Sequence, residues 1–342
     1  MNQPDRTEPP PAKAFVPRPF RPARWLPGAH GQTVAGRYLR ERTGVHYRRE
    51  RMETEDGDFV DLDWATVEGI ALPAAAPLVL LVHGLEGSAS SSYMLESCRA
   101  LAECGLRAVA MNFRSCSGEP NRALRFYHAG DTADLSAVLR HLREREPDVT
   151  LGALGFSLGG NVLLKYLGER GEGSAVRAAA AVSVPFDLMA GAEYMDASFM
   201  GRRYTEVLLR SLRRKFGDRQ AEIGDRCDAR RALSSQSFRD FDDAVTARLH
   251  GFRDVADYYG QSSSAQFLSA IRVPTLLVHA ADDPFVPPHA IPREAVEANP
   301  SLTAVFTERG GHVGFIQGKP WAPEFWAERE AARFLAERLP HP

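Results

Sequence analysis

The sequence runs to 342 residues, 44% of them hydrophobic and 25% charged, a composition that supports a sizeable buried core and excludes wholesale disorder. That length suits one catalytic domain carrying an insertion. A formal net charge of -2 offers no basic excess for phosphates, which excludes nucleic acid as a partner, and no run has the length and apolarity of an integral membrane segment.

In chain order, residues 1–24 carry Pro9, Pro10, Pro11, Pro17, Pro19 and Pro22 among several charges and read as a loose N-terminal arm. No basic segment followed by an apolar run and a cleavage site opens the chain, so a cytoplasmic protein is the expectation. Arg21 and Arg24, with Trp25 and Leu26, give two readings: an aromatic packed onto the core, which is favoured, or transient contact with a membrane surface. Residues 25–342 then form the catalytic domain. Over 59–64, Val60, Leu62 and Trp64 alternate with Asp61 and Asp63, the period of an antiparallel strand with one exposed face.

Beyond Pro77 the texture changes to short, continuous apolar runs at 78–82, 106–111, 149–156, 178–184, 275–279 and 303–306. Helical candidates lie between and after them, at 93–104, 131–145, 158–168, 288–298 and 321–339. Such alternation predicts an α/β fold with a mostly parallel twisted sheet of about eight strands and helices on both faces. The rhythm fails in one region, where aromatic and basic helical segments such as 204–216 replace strands; a helical lid inserted at about 186–268 is the expected result. Cys98, Cys104, Cys116 and Cys227 lack the close pairing of a zinc site and read as reduced thiols; neither a metal nor a cofactor is expected.

The strongest local signal is Gly155-Phe156-Ser157-Leu158-Gly159, directly after one apolar run and before a helical one. A serine on so tight a strand-to-helix turn needs small neighbours on either side, because strand and helix approach closely there. A serine hydroxyl is a weak nucleophile until an imidazole accepts its proton, and the imidazole needs a carboxylate to fix its tautomer. After the 275–279 run comes Asp282-Asp283-Pro284-Phe285-Val286, and after 303–306 comes Gly310-Gly311-His312-Val313-Gly314. The order Ser157, Asp283, His312 therefore suits nucleophile, orienting acid and base on loops at one sheet edge. Asp283 is preferred to Asp282 for its offset from the apolar Val286, with Asp282 as a turn former. Backbone amides of Leu158, behind the nucleophile, and of Leu85, in His83-Gly84-Leu85-Glu86-Gly87, are the candidates for an oxyanion hole. His83 has no second ligand near it in the chain and reads as a support for that loop, while Arg114, Tyr127, His128 and Asp131 have two readings, structural anchoring, which is favoured, or substrate shaping.

Several segments beyond these motifs carry a resemblance: His30-Gly31-Gln32-Thr33, His83 to Ser88, Asn112-Phe113-Arg114, Tyr127-His128-Ala129-Gly130-Asp131-Thr132 and Gly155 to Asn161. From about Phe20 onward the chain resembles the YheT-like branch of the α/β-hydrolase superfamily, whose eukaryotic relatives include acylglycerol and phospholipid lipases and medium-chain acyl ester synthases. The resemblance implies the α/β-hydrolase fold, the same three site residues, and esterase or lipase activity on small-molecule acyl esters. Short to medium acyl chains are favoured, because the membrane anchor of the eukaryotic relatives has no counterpart in this sequence. Two alternatives stay open: acyl transfer to an alcohol acceptor, and a ligand-binding member of the fold without catalysis.

Overall fold

The computed structural model describes residues 15–340. Eight strands form one sheet in the order β1-β2-β4-β3-β5-β6-β7-β8. They are β1 (Val45–Glu53), β2 (Phe59–Val67), β3 (Leu78–Val82), β4 (Arg107–Asn112), β5 (Leu151–Phe156), β6 (Ala178–Val182), β7 (Thr275–Ala280) and β8 (Leu302–Thr307). From β3 to β8 neighbouring strands run parallel, whereas β2 runs antiparallel to β1 and β4.

Apolar side chains alternate to opposite faces of the central strands, which is why those strands read as continuous hydrophobic runs. Leu78, Leu80 and Val82 join one core with Leu135, Leu139 and Leu163, on the side of α3 (Thr132–Arg145) and α4 (Leu158–Arg170). Val79 and Leu81 join a second core with Met94, Leu101 and Phe334, under α2 (Ser92–Glu103) and the C-terminal helix Trp326–Arg338. Between β6 and β7 the chain forms helices and helical turns with no strand, starting with α5 (Leu188–Ala197) and α6 (Phe199–Asp218) and ending with a 3-10 helix, Ser264–Ala270. This segment has a small core of its own around Leu209, Phe216, Phe241 and Val245.

Four expectations are corrected. Asp61 and Asp63 lie on a buried strand, not an exposed face, because Arg51 and Arg49 stand directly opposite them on β1 and hold them in ion pairs of 2.8 Å. The loose arm does not extend to residue 24: Phe15 packs edge-on against Phe334, and Trp25 donates to the Gly318 carbonyl and packs on Ala23, Ile316 and Phe325. Residues 1–14 of that arm lie outside the described residues. The helix expected at 288–298 is a single turn, Pro288–Ala290, and a short helix, Arg293–Glu297, split where Pro292 supplies no amide donor. The helix expected at 321–339 begins only at Trp326, because the preceding residues pair as a hairpin of Ile316–Lys319 with Ala322–Phe325.

Candidate active site

Strand β5 delivers Ser157 onto a sharp turn into α4 with φ of 51° and ψ of -121°, a conformation strained for any residue with a side chain. The turn closes so tightly that a Cβ on Gly159 would stand 2.4 Å from the carbonyl oxygens of Val82 and His83, and one on Gly155 would stand 2.7 Å from that of Gly159. Glycine is required at both positions by close approach of backbone.

Beyond β7 and β8, two loops bring Asp283 and His312 to the same carboxyl edge of the sheet. His312 Nε2 lies 2.9 Å from Ser157 Oγ, and His312 Nδ1 lies 2.8 Å from Asp283 Oδ2. The carboxylate is buried, with its other oxygen accepting the Phe285 amide at 2.8 Å. Since an anionic carboxylate only accepts, Nδ1 carries the proton and Nε2 presents its lone pair to the serine hydroxyl. The Phe285 ring lies parallel to the imidazole with centroids 4.1 Å apart, which fixes its plane. Asp282 braces the histidine loop instead of forming a turn within its own: its Oδ1 accepts the Gly311 amide at 2.9 Å, and burial raises its carboxyl above the usual range.

Three braces on the histidine loop escaped the sequence reading. Thr33 Oγ1 accepts the His312 amide at 2.9 Å, Ser183 Oγ accepts the Val313 amide at 3.0 Å, and the Arg40 guanidinium donates to the Val313 carbonyl at 2.7 Å. Gln32 clasps the next segment, accepting from the Ile316 amide and donating to its carbonyl. The His30-Gly31-Gln32-Thr33 motif was the available signal. Gly311, at φ +62°, packs so close to this helix, α1 (Gly28–Leu39), that a Cβ would meet Ala29 O at 2.5 Å.

Across from Ser157 runs the loop after β3. An ideal Cβ on Gly84 would lie 3.1 Å from the Ser157 Cβ, so the loop passes the nucleophile with little room to spare. The Gly84 amide is donated to the Tyr93 hydroxyl and the Glu86 amide to the Tyr127 hydroxyl, which leaves the Leu85 amide between them without an acceptor among the described residues. Leu158 is the first residue of α4, where the amide has no intrahelical partner. His83 supports the loop from below: Nδ1 donates to the Gly84 carbonyl at 2.7 Å and Nε2 accepts the Phe113 amide at 3.1 Å, while burial lowers its pKa to about 4 and keeps it neutral. Glu86 is neutralised by Lys215 of α6, at 2.9 Å. Arg114 is an anchor, in buried ion pairs of 2.7 Å with Asp58 and Asp134.

These elements enclose a cavity of about 690 Å³, within the range of single-ligand pockets. Ser157, Leu158, Leu85 and His312 line it at the sheet edge, and Leu188, Ala192, Met195, Leu208 and Leu212 supply apolar walls from α5 and α6. Among the described residues no helix is long and apolar enough to cross a membrane.

A family model described as the alpha/beta hydrolase fold matches residues 77–319. The chain is 39% identical over 322 residues to YheT of Escherichia coli strain K12, an esterase by name, covering 94% of each chain. The chain belongs to the α/β-hydrolase family, in its YheT-like branch. This α/β hydrolase is also 33% identical to mouse phospholipase ABHD3 over 302 residues, covering 87% of the chain and 74% of that protein. Among solved structures, the Pyrococcus furiosus esterase Pf2001 matches with a TM-score of 0.56 at 19% identity, covering 86% of the chain and 94% of that protein, a likeness of fold alone. The hydrolase is of the esterase and lipase type, and its Ser157, Asp283 and His312 form one hydrogen-bonded row opening on its cavity.

Proposed function

We propose that the protein is a serine esterase that cleaves small carboxylic acyl esters through an acyl-enzyme on Ser157. The observation that carries this reading is the row of bonds from Asp283 through His312 to Ser157, 2.8 and 2.9 Å long, at the wall of an apolar cavity. In the first half-reaction Ser157 Oγ attacks the ester carbonyl while His312 Nε2 takes its proton, and Asp283 stabilises the resulting imidazolium. The oxyanion of the tetrahedral intermediate accepts the amides of Leu85 and Leu158, an arrangement worth a few kcal/mol. Collapse expels the alcohol, which takes the proton from His312; water then repeats the sequence on the acyl-enzyme and frees the acid.

The volume of the cavity suits a short to medium acyl chain with its alcohol group, and the apolar faces of α5 and α6 suit the chain itself. The helical segment between β6 and β7 acts as the lid of this site. Steady-state assay over p-nitrophenyl esters of increasing acyl length tests the reading. Hydrolysis that peaks at short to medium chains and falls by a factor of about a thousand or more in Ser157→Ala is expected; hydrolysis unchanged by that substitution refutes it.

A further inference from the structure

Two carboxyl groups line the cavity without a part in this chemistry, Glu86 and Asp242, and Glu86 is spent on Lys215. Asp242 opens a single π-helical turn, Asp242–Thr246, and lines the same cavity as Ser157. Isolated π-turns often mark functional sites, because the extra residue re-aims neighbouring side chains. Its two oxygens accept only neutral hydroxyls: Thr246 Oγ1 donates to Oδ1 at 2.6 Å, and the Tyr259 hydroxyl donates to Oδ2 at 2.7 Å.

Asp242 is partly exposed, toward the cavity, and the more deeply held acids differ from it. Asp58, Asp61, Asp63 and Asp134 each meet an arginine, and Glu86 meets Lys215. Among the described residues no lysine, arginine or histidine stands within ion-pair distance of Asp242. Each oxygen thus accepts one hydrogen bond, and the charge has no partner. A buried negative charge without a partner is costly, and a ligand cation removes that cost. Around it, Phe238, Phe241, Tyr258 and Tyr259 line the cavity with aromatic rings, whose faces attract cations. Burial raises the carboxyl to about 6, as expected where the charge has no partner, and a bound cation would draw it back down.

We propose that Asp242 and the rings around it form a cation subsite that receives an ammonium group on the substrate, remote from the ester bond. As a statement about substrate class this rests on the hydrolase reading above; as a statement about binding it does not.

The test uses choline and its uncharged isostere 3,3-dimethylbutanol, titrated by calorimetry into the Ser157→Ala protein. Saturable choline binding is expected, tighter than that of the isostere by about tenfold or more, and weakened about tenfold in Ser157→Ala/Asp242→Asn. Equal affinities for the two ligands, no choline binding, or choline binding indifferent to Asp242→Asn would each overturn the subsite and leave Asp242 as a tie between its turn and Tyr259. If the double variant does not fold, the two ligands compared on Ser157→Ala decide alone. In a parallel assay of the unsubstituted enzyme, kcat/KM for butyrylcholine should exceed that for 3,3-dimethylbutyl butyrate, and Asp242→Asn should collapse the ratio. Hydrolysis of neither ester, with choline binding intact, counts against the esterase reading and leaves the subsite standing.

Discussion

Ser157 is held in a backbone conformation that costs about 1–3 kcal/mol, and it persists because Gly155 and Gly159 let strand and helix close around it. His312 is positioned with equal care, between the stacked ring of Phe285 and the Asp283 carboxylate. If the carboxylate serves to fix the tautomer, Asp283→Asn leaves the ring in place and turns its proton toward Ser157. Ester hydrolysis at neutral pH should then fall by about four orders of magnitude with the thermal midpoint little changed. A loss of less than tenfold in kcat/KM would remove Asp283 from the mechanism. Ser157, Asp283 and His312 were legible from the sequence because each follows a continuous apolar run and so must sit at the carboxyl edge of a parallel sheet. Ser183 and Arg40 were not legible, because a hydroxyl and a guanidinium that hold a distant loop leave no local pattern; Thr33 lay in a visible motif, but its partner His312 stands 279 positions away.

At the scale of elements, the strand-to-helix turn tolerates no added atom, whereas a glycine elsewhere in a helix does. Gly159→Ala would set a methyl group 2.4 Å from two carbonyl oxygens, and a loss of about 3 kcal/mol or more is expected in urea unfolding. Gly217→Ala near the end of α6 meets only a Leu233 methyl at 3.5 Å and should gain a few tenths to about 1 kcal/mol. Equal effects at the two positions would contradict the packing of the turn. Elements with a single pattern were readable: the central strands fall within a residue or two of their apolar runs. Strand β1 was missed because Arg48, Arg49, Glu50 and Arg51 look like solvent-facing chain, although Arg49 and Arg51 are spent on buried Asp63 and Asp61 across the ladder. The hairpin before the last helix was absorbed into it because four-residue strands are too short to show a period of two.

Across the whole molecule, burial keeps four histidines neutral. It lowers His83 and His279 to about 4 and His128 and His250 to about 3, from 6.5 in an open chain. Between these values the unfolded chain binds more protons than the folded one, so their contribution is complete above pH 6.5 and is lost as pH falls toward 4, by about 1.4 kcal/mol per group and pH unit. Asp242, raised to about 6, acts in the opposite sense, as do Asp134, Asp196, Asp282 and Glu328, whose carboxyls burial also raises. The four imidazoles should therefore stay neutral down to about pH 5 when their ring signals are followed by NMR; a ring that titrates near 6.5 would contradict its burial. The lid proposed between β6 and β7 shares this burial, since His250 of that segment packs on His128 with ring centroids 4.3 Å apart. Sequence placed that segment by its lack of strands, but not the contacts of Lys215 with Glu86 or of Asp242 with Tyr259, which depend on how helices stack and not on their composition. The central claim, that His312 activates Ser157 as a nucleophile, is tested most directly by intact-mass analysis after treatment with a fluorophosphonate. One adduct, mapped to the peptide that carries Ser157, absent from Ser157→Ala and slow to form in His312→Ala, is the expected result; an unmodified protein, or an adduct that survives Ser157→Ala, would contradict it.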